Sequence, residues 1–249
     1  MGIFFEVCCG SALDAIEAAK GGADRVELNS DLFHGGLTPT IGELRIVKRY
    51  IDIPVMCMVR PREGGFNYND TEFEVMLEDA KVLIENGADG IVFGFLHDDG
   101  TVDTDRVARM MEVIGEKESV FHRAIDVVPN VFDALDRLIE LGVTRVLTSG
   151  QKPEAPLGAD LIKNMIEYSA GRIEILPGAG ITAENAAWCK EHMGTDRMHA
   201  AILKTAYDDS CRMNRSIYFG GFVYPPEDRY SVTDREGVAE FLRRVNAGI

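Results

Sequence analysis

The side chains able to do chemistry in this chain stand at the ends of short β-rich runs. Glu6 and Cys8 are two apart in the first run, so alternation puts them on one face and Cys9 on the other. The same face in the second run collects Arg25, Glu27 and Asn29. The third run ends in Arg60-Pro61-Arg62, the fifth in His122-Arg123 with Asp126 close behind, the sixth in Ser149-Gly150, and the eighth in His199. Arg60, Arg62 and Arg123 offer bidentate recognition of a carboxylate or phosphate, with Ser149 and His199 beside them. The turn Pro177-Gly178-Ala179-Gly180-Ile181-Thr182 presents backbone N–H groups to an anion where it opens a helix. For proton transfer His122 titrates nearest neutrality, and Glu6 or Glu27 would be raised toward it by burial. With Asp126 these two carboxylates could also hold a hard cation. No nucleophile-elbow sequence surrounds Ser149.

Taken singly, each residue has a plain structural reading. A buried Glu or His is normally a satisfied core group, and Arg60 could pair with Glu6 or Glu27. Together they replace the Val, Ile and Leu that would fill a purely structural barrel. That favours a binding or catalytic site.

The elements that must position them are eight β-rich runs: 4–8, 25–28, 55–59, 90–94, 120–122, 145–148, 173–176 and 197–200. Amphipathic stretches separate them, as in 72–85, where Phe73, Met76, Leu77, Ala80, Leu83 and Ile84 recur at helical spacing. Ser11, Thr40 with Glu43, Asp70, Asp103, Thr182, and Thr233 with Glu236 read as helix starts. Gly22-Ala23-Asp24, Gly87-Ala88-Asp89 and Gly142-Val143-Thr144 each stop a helix and enter a strand. Eight such units in 249 residues predict an α/β fold, the (β/α)8 or TIM barrel, as one domain over 1–249 with its site at the C-terminal mouth. The rival, a doubly wound sheet, would carry G-x-G-x-x-G after its first strand, and Cys9-Gly10-Ser11 stands there instead. The long connection at about 204–232 reads as a lid or a subunit arm. Arg212 and Arg215 would cover the mouth, or Tyr218, Phe219, Phe222 and Tyr224 would pack a neighbouring subunit.

Composition narrows the partners. A formal charge of −15 repels nucleic acid. No apolar run approaches the roughly 18 residues of a membrane span, and the opening stretch, with Lys20 as its first cation, lacks a targeting pattern. The expected location is the cytoplasm, with reduced thiols. Cys8, Cys9, Cys57, Cys189 and Cys211 contain no C-x-x-C, which argues against a closed zinc site. In Met56-Cys57-Met58 the methionines share the face of Arg60 and read as core.

At these motifs the chain resembles the CutC family. The resemblance is carried by Glu6-Val7-Cys8, Gly21-Gly22-Ala23-Asp24-Arg25-Val26-Glu27-Leu28, Gly35-Gly36-Leu37-Thr38-Pro39-Thr40, Arg60-Pro61-Arg62, Phe121-His122-Arg123-Ala124, the run from Arg145 to Gln151, and Pro177-Gly178-Ala179-Gly180-Ile181. It implies a cytosolic barrel, usually a homo-oligomer such as a dimer or tetramer, linked to copper homeostasis, with Cu(I) as a proposed ligand and Cys8 as its residue. The second cysteine often found at the end of strand two is Asn29 here, the Phe expected after His-Arg-Ala is Ile125, and Ala200 follows the last histidine. Two readings stand: Cu(I) binding through Cys8, or an enzyme in which the arginines hold a small anionic metabolite and His122 moves a proton with Glu6 or Glu27.

Overall fold

In the computed structural model, residues 2–219 and 229–248 are described. Ten strands and eight α-helices follow one another as β1 (Phe4–Cys9), α1 (Ala12–Gly21), β2 (Arg25–Leu28), α2 (Ile41–Tyr50), β3 (Val55–Met58), α3 (Asp70–Glu85), β4 (Gly90–Phe93), α4 (Thr104–Ile114), β5 (Glu118–Phe121), α5 (Val131–Glu140), β6 (Arg145–Thr148), α6 (Ala159–Ser169), β7 (Glu174–Pro177), α7 (Ala186–Met193), β8 (Arg197–Ala200), β9 (Leu203–Tyr207), β10 (Arg229–Thr233) and α8 (Arg235–Ala247). Strands β1 to β8 form one parallel sheet in the order 7-6-5-4-3-2-1-8. A bridge between Gly178 and His199 brings its two edges together, so the sheet is a (β/α)8 barrel.

The register follows from alternation. Outward residues such as Phe5, Val7, Val26, Leu28, Cys57 and Ile91 join the helices in one large apolar core. Inward residues Met56, Met58, Val92, Val120, Leu147 and Leu176 make a second, smaller core inside the barrel. Met56 and Met58 are therefore packing residues, while Cys57 faces the helices.

Three of the six helix starts are capped where the sequence places them. Ser11 accepts from Asp14 N, Thr40 with Glu43 forms a capping box, and Asp103 accepts from Arg106 N. Three differ. Helix α8 starts at Arg235 behind Asp234, with no side-chain cap, instead of at Thr233 with Glu236. The box at α3 is formed by Asn69 with Glu72, one residue before Asp70. Helix α7 begins at Ala186, not after Thr182, because the Asn185 side chain accepts from Thr182 N and folds 182–185 into a turn. The connection after β8 contributes β9 and β10, an antiparallel pair that rests on α1, where Thr233 N donates to Asp14. Arg212, Arg215, Tyr218 and Phe219 belong to its described part; Phe222 and Tyr224 lie outside the described residues.

Candidate functional site

The floor of the barrel is charged. Arg25, Glu118, Arg145 and Glu174 are the first residues of β2, β5, β6 and β7. Arg145 donates to Glu118 and Glu174, both at 2.6 Å, and Arg25 lies 3.7 and 3.6 Å from the same carboxylates. One layer up, Arg25 Nε donates to Glu6, and the other Glu6 oxygen meets His199 Nδ1 at 2.7 Å. Burial pushes Glu6 upward, but the hydrogen bond to His199 and the charge of Arg25 outweigh it and hold the carboxyl at about 2. Glu6 is thus a permanent carboxylate inside an ion network, 1% exposed, with no opening to the mouth.

Above this layer a cavity of about 520 Å³ opens at the C-terminal ends of the strands. Cys8, Glu27, Arg60, His122, Arg123, Gly180 and His199 all line it, with Met58, Phe66 and Leu147 supplying apolar wall. One donor atom each from Cys8, Glu27 and His199 lies within 4.8 Å of the others. Asn29 Nδ2 donates to Glu27 Oε1 at 2.9 Å and sits 3.6 Å from Cys8 Sγ, so an amide and not a second thiol flanks Cys8 from the end of β2. Burial pushes the Cys8 thiol up to about 12 and also raises Glu27. Burial alone would lower His199, yet the charge of Glu27 and the contacts to Cys8 and Glu6 raise it well above its usual range. His199 is accordingly an imidazolium between two carboxyl groups.

His122 is the opposite case. Its Nδ1 accepts the N–H of Ala124 at 3.1 Å, which leaves the ring proton on Nε2. Burial and the nearby Arg60 charge lower it to about 3. The expectation that His122 titrates near neutrality therefore fails: it is a fixed neutral donor. Gly94 makes room for it, since a Cβ there would lie 2.4 Å from the ring.

Arg60 donates Nη1 to the carbonyls of His34 and Gly36 and Nη2 to that of Gly64, at 2.9 to 3.1 Å. It does not pair with Glu6 or Glu27; among the described residues no carboxylate lies within ion-pair distance of it. Among the described residues, three buried polar atoms around the cavity have no hydrogen-bond partner of good geometry: Glu27 Oε2, Arg60 Nε and His122 Nε2. The Tyr68 hydroxyl, which also lacks one of good geometry, stands close enough to the Arg60 side chain to feel its charge and its N–H donors, and it does not line the cavity.

Other expected site residues are placed elsewhere. Arg62 turns away to Glu72, at 2.6 and 3.2 Å, and to the carbonyls of Glu63, Gly65 and Asn67. Asp126 is occupied by Arg123, the Thr148 and Ser149 hydroxyls, and the N–H groups of Ser149 and Gln151. Ser149 in turn donates to Asp126 and accepts from Arg123, so both residues brace the β5 and β6 ends instead of reaching the cavity. The cation trio of Glu6, Glu27 and Asp126 is not formed, because Glu6 and Asp126 are each committed to separate networks. Gly178 is the closing bridge to His199. Ala179 and Gly180 both hold left-handed backbone, at φ 75° and 69°, which in Ala179 is strained. That strain turns the loop into the cavity wall.

The family sequence pattern described as "CutC family" matches residues 3–204. The chain belongs to the CutC family. A CutC family protein of Treponema denticola is 52% identical over 97% of this chain and 98% of its own. The human copper homeostasis protein cutC homolog is 41% identical, over 94% and 85%. A CutC crystal structure from Streptococcus agalactiae superposes with a TM-score of 0.76 at 34% identity, covering 80% of this chain and 98% of that one. The cavity residues Cys8, Glu27, Arg60, His122, Arg123 and Gly180 all fall within the matched range. The floor residues Glu118 and Glu174, and Phe66 at the mouth, were missed by sequence reasoning. Glu118 lies just ahead of the β-rich run read at 120–122, and Phe66 sits in a loop without periodicity.

Proposed function

We propose that this CutC-family chain serves copper homeostasis and takes Cu(I) as cargo at the barrel mouth, with Cys8 as its thiolate ligand. The supporting observation is the convergence of Cys8, Glu27 and His199 within 4.8 Å at the open end of the barrel. Cys8 supplies a soft sulfur, His199 a ring nitrogen, and the Met58 thioether lines the same cavity. The structure holds Cys8 as a thiol and His199 as an imidazolium. Cu(I) must therefore displace protons, and with one thiolate its affinity is modest beside a paired-cysteine site. Among the described residues no helix is long and apolar enough to cross a membrane.

Competition titration with a Cu(I) chelator tests this reading. Wild type is expected to bind one Cu(I), Cys8→Ala to lose it, and Asn29→Cys to bind at least tenfold more tightly. Binding that is unchanged by Cys8→Ala would sink the proposal.

A further inference from the structure

We propose that the mouth cavity also binds a small organic carboxylate, seated on the guanidinium of Arg60 and the Nε2–H of His122, with the Phe66 ring packed against both. The inference is independent of copper. It begins from a buried cation without a counter-ion. Arg60 is 7% exposed, and its partners are carbonyl oxygens, which carry only partial charge. Buried charges are normally paired, because desolvating an unpaired one is costly. Arg145, buried to a similar degree, has two carboxylates.

The unused hydrogen-bond donors give the shape of the missing group. A guanidinium carries five N–H bonds. Three of those on Arg60 reach carbonyls, which leaves Nε–H and one N–H of Nη2, with the Tyr68 hydroxyl nearby but making no hydrogen bond of good geometry. His122, 4% exposed, adds Nε2–H, also without a partner. The Phe66 ring centroid lies 4.8 Å from that of His122 and 5.7 Å from Arg60 Cζ. Both donors are rigid: three carbonyls hold the guanidinium, and the Ala124 N–H fixes the imidazole tautomer. Two or three donors beside one formal positive charge match the two oxygens of a monoanionic carboxylate. The apolar wall of Met58, Phe66 and Leu147 suits its carbon skeleton, and Glu27 Oε2 remains for a polar substituent. A phosphate dianion would ask for more charge than Arg60 supplies.

The test is thermal shift followed by calorimetric titration, with pyruvate, lactate, malate and benzoate as probes and inorganic phosphate as the rival anion, all with a copper chelator present. At least one carboxylate is expected to raise the melting temperature and saturate, and to lose tenfold or more in affinity in Arg60→Met and His122→Asn. Arg62→Ala is expected to bind as wild type does. Because the cavity variants can fail to fold, the wild-type protein gives a second readout: the His122 Nε2–H proton resonance moves when the carboxylate is added. Phosphate binding in preference to every carboxylate, no stabilisation by any probe, or stabilisation without movement of the His122 resonance would each overturn the proposal. Loss of Cu(I) binding in Cys8→Ala leaves these outcomes untouched, so the two readings fail separately.

Discussion

At the floor of the barrel Arg25 and Arg145 stand among Glu6, Glu118 and Glu174, whereas at the mouth Arg60, about equally buried, meets only carbonyl oxygens. Even where Arg25 Nη2 makes no hydrogen bond, Glu174 is 3.6 Å away. The histidines divide in the same way. His199, tied to Glu6, keeps its proton, and His122, beside a cation, stays neutral. The floor closes on itself electrostatically; at the mouth, Arg60 and His122 keep donors without hydrogen-bond partners and Arg60 has no carboxylate beside it. The same residue types are thus bound to carboxylates at one end and to backbone groups at the other.

Replacing one cation at each end is the sharpest way to break this contrast. Arg25→Met strands the buried Glu6 carboxylate with His199 as its remaining partner, and urea unfolding is expected to show a loss of about 3–5 kcal/mol. Arg60→Met strands no carboxylate, and its loss is expected to be about 1–2 kcal/mol from lost carbonyl hydrogen bonds. Equal losses would dissolve the distinction.

A second effect, spread over several pH units, concerns acid stability. The unfolded chain protonates His122 near pH 6.5, while the folded protein resists until about 3. Between those values the unfolded state binds the extra proton, so stability falls as pH falls, by at most about 1.4 kcal/mol per unit from this residue. His122→Gln is expected to flatten the acid limb of a stability–pH profile by that slope. An unchanged limb would mean that the ring is not held neutral.

The smallest effect is expected from Arg62→Ala. Its pair with Glu72 is partly exposed, at 36% and 24%, so calorimetric melting should register about 0–1 kcal/mol, with Cu(I) binding unaltered. A large loss would place Arg62 with the floor arginines.

The eight strands and half of the helix caps were legible because period-two alternation and capping boxes are local signals, as Thr40 with Glu43 illustrates. The inward face of β1 and β2 was legible for the same reason. What escaped is set by three-dimensional closure. Arg60 and Arg62 are two apart, but β3 already ends at Met58, so strand alternation no longer governs them and of the two only Arg60 lines the cavity. His122 is held neutral by burial and one neighbouring charge, neither visible in its own residue type. Glu118, Arg145 and Glu174 begin three adjacent strands, but Arg25 of β2 reaches Glu118 and Glu174 only because the sheet curls.

Strands β7 and β8 meet through a single bridge, Gly178 with His199, whereas β1 shares a four-residue ladder with each of its neighbours. The hoop of the barrel therefore has a clasp, and one half of it, His199, lines the mouth cavity. A Cu(I) ion held through His199 is expected to fasten the seam, and amide hydrogen exchange would register that as slower opening along β7 as well as β8.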